Sequence, residues 1–118
     1  MITEFIIEEI DDKIIIRVQL ERATLSKATL FRETVENIID SGKHKLIVDC
    51  RNVSFMDSTF LGSLVVSLKK MNAKNGNFLL VFSDKSSLVL TMLESTKMIK
   101  IFTSFYSLED AFNYLDTK

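Results

Sequence analysis

The sequence contains no proline, one cysteine, one histidine and three glycines in 118 residues, and each scarcity removes a class of explanation. With Cys50 alone, no internal disulfide can form and no multi-cysteine zinc site can be assembled; a single thiol also suits a reducing compartment. With His44 alone, set in the polar "SGKHK" turn, a Ser-His-Asp or Cys-His pair would have to draw its only imidazole from a loop, so the chain is not read as an enzyme. No glycine-rich phosphate loop follows any apolar run, and neither G-x-G-x-x-G nor G-K-[ST] occurs, so a nucleotide-using enzyme lacks its usual anchors. Without proline, boundaries are marked only by Gly, Asn, Asp and Ser.

Charge of one sign is lacking too: fifteen Lys and Arg oppose sixteen Asp and Glu, a net charge of −1. That balance supplies no field to gather nucleic acid phosphates or anionic lipid, so neither nucleic acid nor a membrane is expected as a partner. The longest apolar runs, such as "FIIEEI" and "LGSLVVSL", fall well short of the roughly 18 residues a membrane span needs. No basic-then-apolar leader opens the chain, which is expected to be cytoplasmic.

What is present reads as one folded domain over residues 1–118. Hydrophobic residues make up 47% and charged residues 26%, close to the averages of a globular protein, and the length suffices for one core. "EFIIEEI" and "KIIIRVQL" are β-like runs split by Asp11 and Asp12, a hairpin. In the second run Ile14, Ile16, Val18 and Leu20 alternate with Ile15, Arg17 and Gln19, the period of a strand with one buried face. From Ser26, Ala28, Phe31, Val35, Ile38 and Ile39 recur at helical spacing up to Gly42. "KLIVDC", residues 45–50, has no polar alternation and is expected to be a central strand covered on both faces.

A second helix follows from the stripe Leu61, Leu64, Val65, Leu68 and Met71, ending at "NAKNGN". "FLLVF", residues 78–82, is the next strand, and Ser83 and Asp84 open a third helix carrying Leu88, Val89, Met92 and Leu93. "MIKIF", residues 98–102, predicts a last strand, and Ser107 starts a final helix with the pattern S-x-x-D. The order β-β-α-β-α-β-α-β-α is an α/β fold, with a mixed, mostly parallel sheet, an opening hairpin and about four helices. Met71, Met92 and Met98 are assigned to the core.

The informative junction is "NVSFMDSTFLGSL", residues 52–64, between the central strand and the second helix. Ligands and partners of parallel sheets gather at such carboxyl ends. Asp57 or Ser58 could cap the helix there; position 61, where a capping box on Ser58 would want Glu, is Leu. The alternative use of the hydroxyl is to carry a phosphate, whose charge would meet both the positive helix end and the Asp57 carboxylate.

"LIVDCRNVSFMDSTFLGSL" resembles the signature of the STAS family, the anti-sigma-factor antagonists, in which a strand leads through a short loop to D-S-[ST]-G-L-G; the element order resembles that family's fold over essentially the whole chain. The resemblance implies a non-catalytic regulator without a cofactor. In the family the serine after the aspartate, here Ser58, is phosphorylated by a partner serine kinase that often is itself the anti-sigma factor, and a serine phosphatase reverses it. The unphosphorylated form binds the kinase. Carried over, the partner-binding surface comprises Asp57, Thr59, Phe60, Leu61 and Gly62, with Glu21, Arg22 and Thr24 from the loop after strand two.

This chain departs from the pattern twice. Phe60 replaces the first glycine, either as an aromatic anchor for a partner or packed against its own sheet. Leu20, Glu21, Arg22 and Ala23 stand where G-E-L-D is common, which leaves Thr24 as the nearest polar replacement for the aspartate. Gly62 would serve close approach or packing. The runner-up reading is a constitutive scaffold within a signalling or transport assembly, with Ser58 reduced to a helix cap. Third comes a phosphoacceptor role for Asp49, set aside because Asp11 and Asp12 occupy a hairpin turn, not the magnesium-binding position such a receiver needs. Cys50 is expected to be an inert small hydrophobe.

Overall fold

The structure, a computed structural model, describes residues 4–118. β1 (Phe5–Ile10) and β2 (Lys13–Val18) form the expected antiparallel hairpin, with Ile10 opposite Lys13 and Phe5 opposite Val18. Its two-residue turn puts Asp11 at φ 55°, a left-handed conformation that aspartate tolerates better than most residues. Then come β3 (Arg22–Ala23), α1 (Leu25–Asp40), β4 (Lys45–Asp49), β5 (Phe55–Met56), α2 (Ser58–Ala73) and β6 (Asn77–Val81). α3 (Ser87–Ser95), β7 (Thr103–Phe105) and α4 (Leu108–Asp116) complete the chain.

Five strands form one sheet in the order β1-β2-β4-β6-β7, parallel throughout except for the hairpin. β4 is central, as its unbroken apolar run requires. One face is covered by α1, α2 and α3, whose Phe31, Val35, Leu64, Met71, Val89 and Leu93 close over Ile14, Ile16, Leu46, Val48 and Leu80. The other is covered by α4, where Ala111 and Leu115 close over Ile15, Ile47, Leu79 and Val81.

Two expectations need correction. β2 is buried on both faces: Ile15, assigned by alternation to the open side, is fully enclosed beneath α4. The last strand is not residues 98–102. Lys97 takes a left-handed φ of 62° after α3, and Met98–Lys100 form a 3-10 turn that brings the chain back toward the sheet edge. Phe102 then packs against Phe78, with ring centroids 6.4 Å apart, and pairing with β6 begins only at Thr103. At α4 Ser107 Oγ accepts from Asp110 N–H at 3.1 Å; Ser83, expected to open the third helix, closes a capping box with Ser86 on a 3-10 turn, Asp84–Ser86, and α3 itself begins at Ser87.

Candidate functional site

At the carboxyl end of β4 two loops are stitched together. β3 and β5 form a two-stranded parallel ladder, Arg22 opposite Phe55 and Ala23 opposite Met56. The Glu21 carbonyl accepts from the N–H groups of Ser54 and Phe55, at 2.8 and 3.1 Å, and the Ala23 carbonyl accepts from Asp57 N–H at 3.1 Å. The Arg22 guanidinium lies 4.2 Å from the centroid of the Phe55 ring. The loop after β2 and the loop before α2 therefore form a single platform, which sets the starts of α1 and α2 side by side.

Asp57 links them. It is the N-cap of α2, and its Oδ1 accepts from Phe60 N–H at 2.8 Å. Its Oδ2 accepts from Leu25 N–H, also at 2.8 Å. One carboxylate thus caps two helices. Thr24, at the N-cap position of α1, makes no side-chain cap bond, so the donor left by the altered loop is satisfied from Asp57.

Because Asp57 is the cap, Ser58 is not. It is the first residue of α2, exposed, with Thr59 exposed beside it. The proposal that Ser58 serves only as a helix cap is therefore corrected. Phe60 is also resolved: it is fully buried, its ring 5.2 Å from that of Phe31 and 6.4 Å from that of Phe5. It cannot be a surface anchor. Leu61, 7% exposed, belongs to the same core, so both residues leave the expected partner-binding set. Gly62 is exposed, and a Cβ added there would meet no atom within 4 Å, so packing does not require the glycine.

Beside Gly62 runs a groove of about 370 Å³ between α1 and α2, lined by Leu25, Thr29, Arg32, Thr59, Gly62 and Val66 among others. Leu25 is 66% and Val66 37% exposed, and the sequence reading missed both. Val66 was legible as an apolar residue off the α2 stripe. Leu25 was not, since it sits one turn before Ala28 on the α1 stripe and periodicity assigns it to the core. Glu21 and Arg22 are exposed on the adjoining loop, and Thr24 is half-buried.

Asp49 is engaged elsewhere. The residue is 6% exposed, and its carboxylate accepts from Arg51 Nε and Nη2 at 2.9 and 2.8 Å, from Arg51 N–H at 3.1 Å and from Arg17 Nη1 at 3.3 Å. The bond to Asp49 holds the Arg51 guanidinium charged even more firmly than usual. A carboxylate so enclosed is a structural clamp and is not presented for acyl phosphate formation. Cys50 is fully buried; burial, then the neighbouring Asp49, pushes its thiol well above the ordinary range, away from the reactive thiolate.

Among the described residues no helix is long and apolar enough to cross a membrane. The family model of the STAS domain matches residues 4–111. Among solved structures, an anti-sigma factor antagonist from Mycobacterium paratuberculosis superposes with a TM-score of 0.80 at 19% identity, over 93% of this chain and 91% of that one. An anti-sigma-factor antagonist (STAS) domain protein from Planctomyces limnophilus gives 0.75 at 16% identity, covering 94% and 96%. The Bacillus cell fate determinant SpoIIAA, in its phosphorylated form, gives 0.71 at 18% identity, covering 94% and 98%. At these identities the likeness is one of fold.

Proposed function

The chain belongs to the STAS domain family, and we propose that it is an anti-sigma-factor antagonist-like regulator that binds a serine kinase and is switched by phosphorylation of Ser58. The observation that carries this reading is a division of labour at the start of α2. Both carboxylate oxygens of Asp57 are occupied by helix N–H groups, while the next residue presents an exposed hydroxyl that the cap does not use. A residue freed from capping can be modified without unfolding the helix. That a family relative exists in a phosphorylated form lends support.

The unmodified surface is small and nearly neutral at its centre: Ser58, Thr59 and Gly62 on α2, with Leu25 and Val66 as apolar flanks and Glu21, Arg22 and Thr24 on the adjoining loop. Gly62 allows a partner backbone to approach the first turns closely. Phosphate on Ser58 adds about −1.5 to −2 charges next to the Asp57 carboxylate. The modified face repels a kinase surface fitted to a neutral hydroxyl, and a serine phosphatase restores binding.

The alternative, a constitutive scaffold with Ser58 as a helix cap, is less favoured, because Asp57 and not Ser58 caps α2 and because Phe60 lies in the core. The test is mass spectrometry of the protein recovered from its own growing and stressed cells, combined with co-purification of variants. The expected result is condition-dependent phosphate on Ser58, a Ser58→Ala protein that retains its kinase under all conditions, and a Ser58→Asp protein that loses it. A Ser58→Asp variant that binds the kinase like the parent overturns the reading.

A further inference from the structure

A cavity of about 210 Å³ lies at the carboxyl ends of β2, β4 and β6 and shares no residue with the surface around Ser58. In open α/β sheets, ligands bind in crevices outside the strand ends. Half-buried Arg17 and Arg51 and buried Asp49 form its floor, while exposed Gln19, Asn52 and Lys85 form its rim.

The floor follows from strand register. β2 and β4 pair in parallel with Arg17 opposite Asp49, and Arg17 Nη1 donates to Asp49 Oδ2 at 3.3 Å. Arg51 Nε and Nη2 reach the two oxygens of the same carboxylate, at 2.9 and 2.8 Å. Asp49 is thereby saturated, and Arg17 Nε is taken by Glu8. Arg17 Nη2 and Arg51 Nη1 have no partner among the described residues. One buried carboxylate thus fixes two guanidinium groups and leaves each with donors to spare.

The rim is tied to this floor. Ser83 Oγ donates to the Arg51 carbonyl at 2.5 Å and accepts from Lys85 N–H at 3.2 Å, so the loops after β4 and β6 are held together. Lys85 has no acidic partner among the described residues. Three cations against one saturated carboxylate leave the cavity positive, even with Glu8 on Arg17 counted. In a chain of net charge −1 that excess is local.

The geometry points to a binding site for a phosphate group in this cavity, with Arg17 and Arg51 donating from the floor and Lys85 and Asn52 from the rim. Donors that converge from two strand ends and two loops suit a tetrahedral anion, which offers an oxygen to each; a planar carboxylate offers only two oxygens. Next to the cavity a groove of about 540 Å³ shares Gln19, Asn52 and Lys85 and adds Leu20, Glu21 and Ser54. It has room for the organic part of an ester. The Glu21 carboxylate there disfavours further anionic groups, so the ligand class is inorganic phosphate or a small phosphate monoester, not a polyphosphate.

NMR of the isotope-labelled chain, titrated with inorganic phosphate and separately with phenyl phosphate, tests the site. The Nε–H signals of Arg17 and Arg51 are expected to shift saturably, with a Kd of about 1 mM or tighter, and sodium chloride at the same ionic strength should not reproduce the shifts. Lys85→Glu turns an attraction at the rim into a repulsion and should weaken binding at least about fivefold. Lys69→Glu, at an exposed lysine of α2 outside the cavity, should leave it unchanged. Arg17→Gln removes a floor donor and should abolish saturation with an unchanged circular dichroism spectrum; if that variant does not fold, Lys85→Glu decides. Tighter binding of phenyl phosphate, with shifts reaching Leu20 and Ser54, identifies an ester as the ligand, whereas equal binding of the two probes identifies free phosphate. No saturable shift with either probe, shifts matched by sodium chloride, or equal losses in Lys85→Glu and Lys69→Glu overturns the proposal.

Discussion

Replacing Asp57 by alanine removes the acceptor for two helix N-termini at once, and the structure sets the size of the loss. Each cap bond is worth about 0.5–2 kcal/mol, and bonds to a carboxylate sit toward the upper end. The two donors are not equivalent. Leu25 is exposed, so its N–H finds water once Asp57 is gone; Phe60 is enclosed, and its N–H is left poorly solvated. The expected destabilisation is about 2–3 kcal/mol, most of it from α2. Asp57→Asn separates the two contributions, because its amide oxygen can serve one donor while the NH2 group faces the other; about half of that loss is expected. Ser58→Ala, one residue on, should fall within about 0.5 kcal/mol of the parent, the usual range for surface substitutions. Urea unfolding followed by fluorescence and far-UV circular dichroism, with equal m-values across the series, measures all three. An Asp57→Ala protein as stable as the parent, or a Ser58→Ala protein as unstable as Asp57→Ala, would refute the assignment of the double cap.

Phe60→Ala empties a fully enclosed site between Phe5 and Phe31 and should cost about 3–5 kcal/mol in urea unfolding. At temperatures where that variant remains folded, partner co-purification should match the parent, and a selective loss of partner without a stability cost would contradict the buried assignment. The stability curve should also fall in acid. Hydrogen bonds from Lys45 and Lys13, at 2.9 and 3.2 Å, lower Asp12 from its ordinary 3.8 to about 2. A carboxylate with a depressed folded-state pKa stabilises the fold above its unfolded value and loses that contribution as pH falls through the folded one, so the loss lies between about pH 4 and 2. Lys45→Met should flatten the curve in that window, and an unchanged slope would show that the pair contributes nothing.

The order of the main elements along the chain and the D-S junction were legible because they depend on short-range patterns: apolar runs of strand length, helical stripes, and turn residues between them. The turn at Met98–Lys100 was not, since five apolar-rich residues before a helix read equally well as a strand until the left-handed Lys97 bends the chain. The bridge from Asp57 to Leu25 spans 32 positions in sequence and depends on β3 pairing with β5, which two-residue strands do not announce. Phe60 was obscured for a different reason. The buried face of α2 runs through Phe60, Ser63, Leu64, Ser67, Leu68 and Met71, a regular i, i+3, i+4, i+7, i+8, i+11 series in which two serines hide the helical phase. Ser63 can be buried because its hydroxyl donates to the Phe60 carbonyl at 2.6 Å. Once that phase is recognised, the departure from the family's glycine changes meaning. A ring at position 60 turns inward and fixes the start of α2 on the core, and the same rotation leaves Ser58, Thr59, Gly62 and Val66 as the outward face. Of the two uses open to the ring from the sequence, the structure shows the packing one, and that packing holds the outward face of α2 in place.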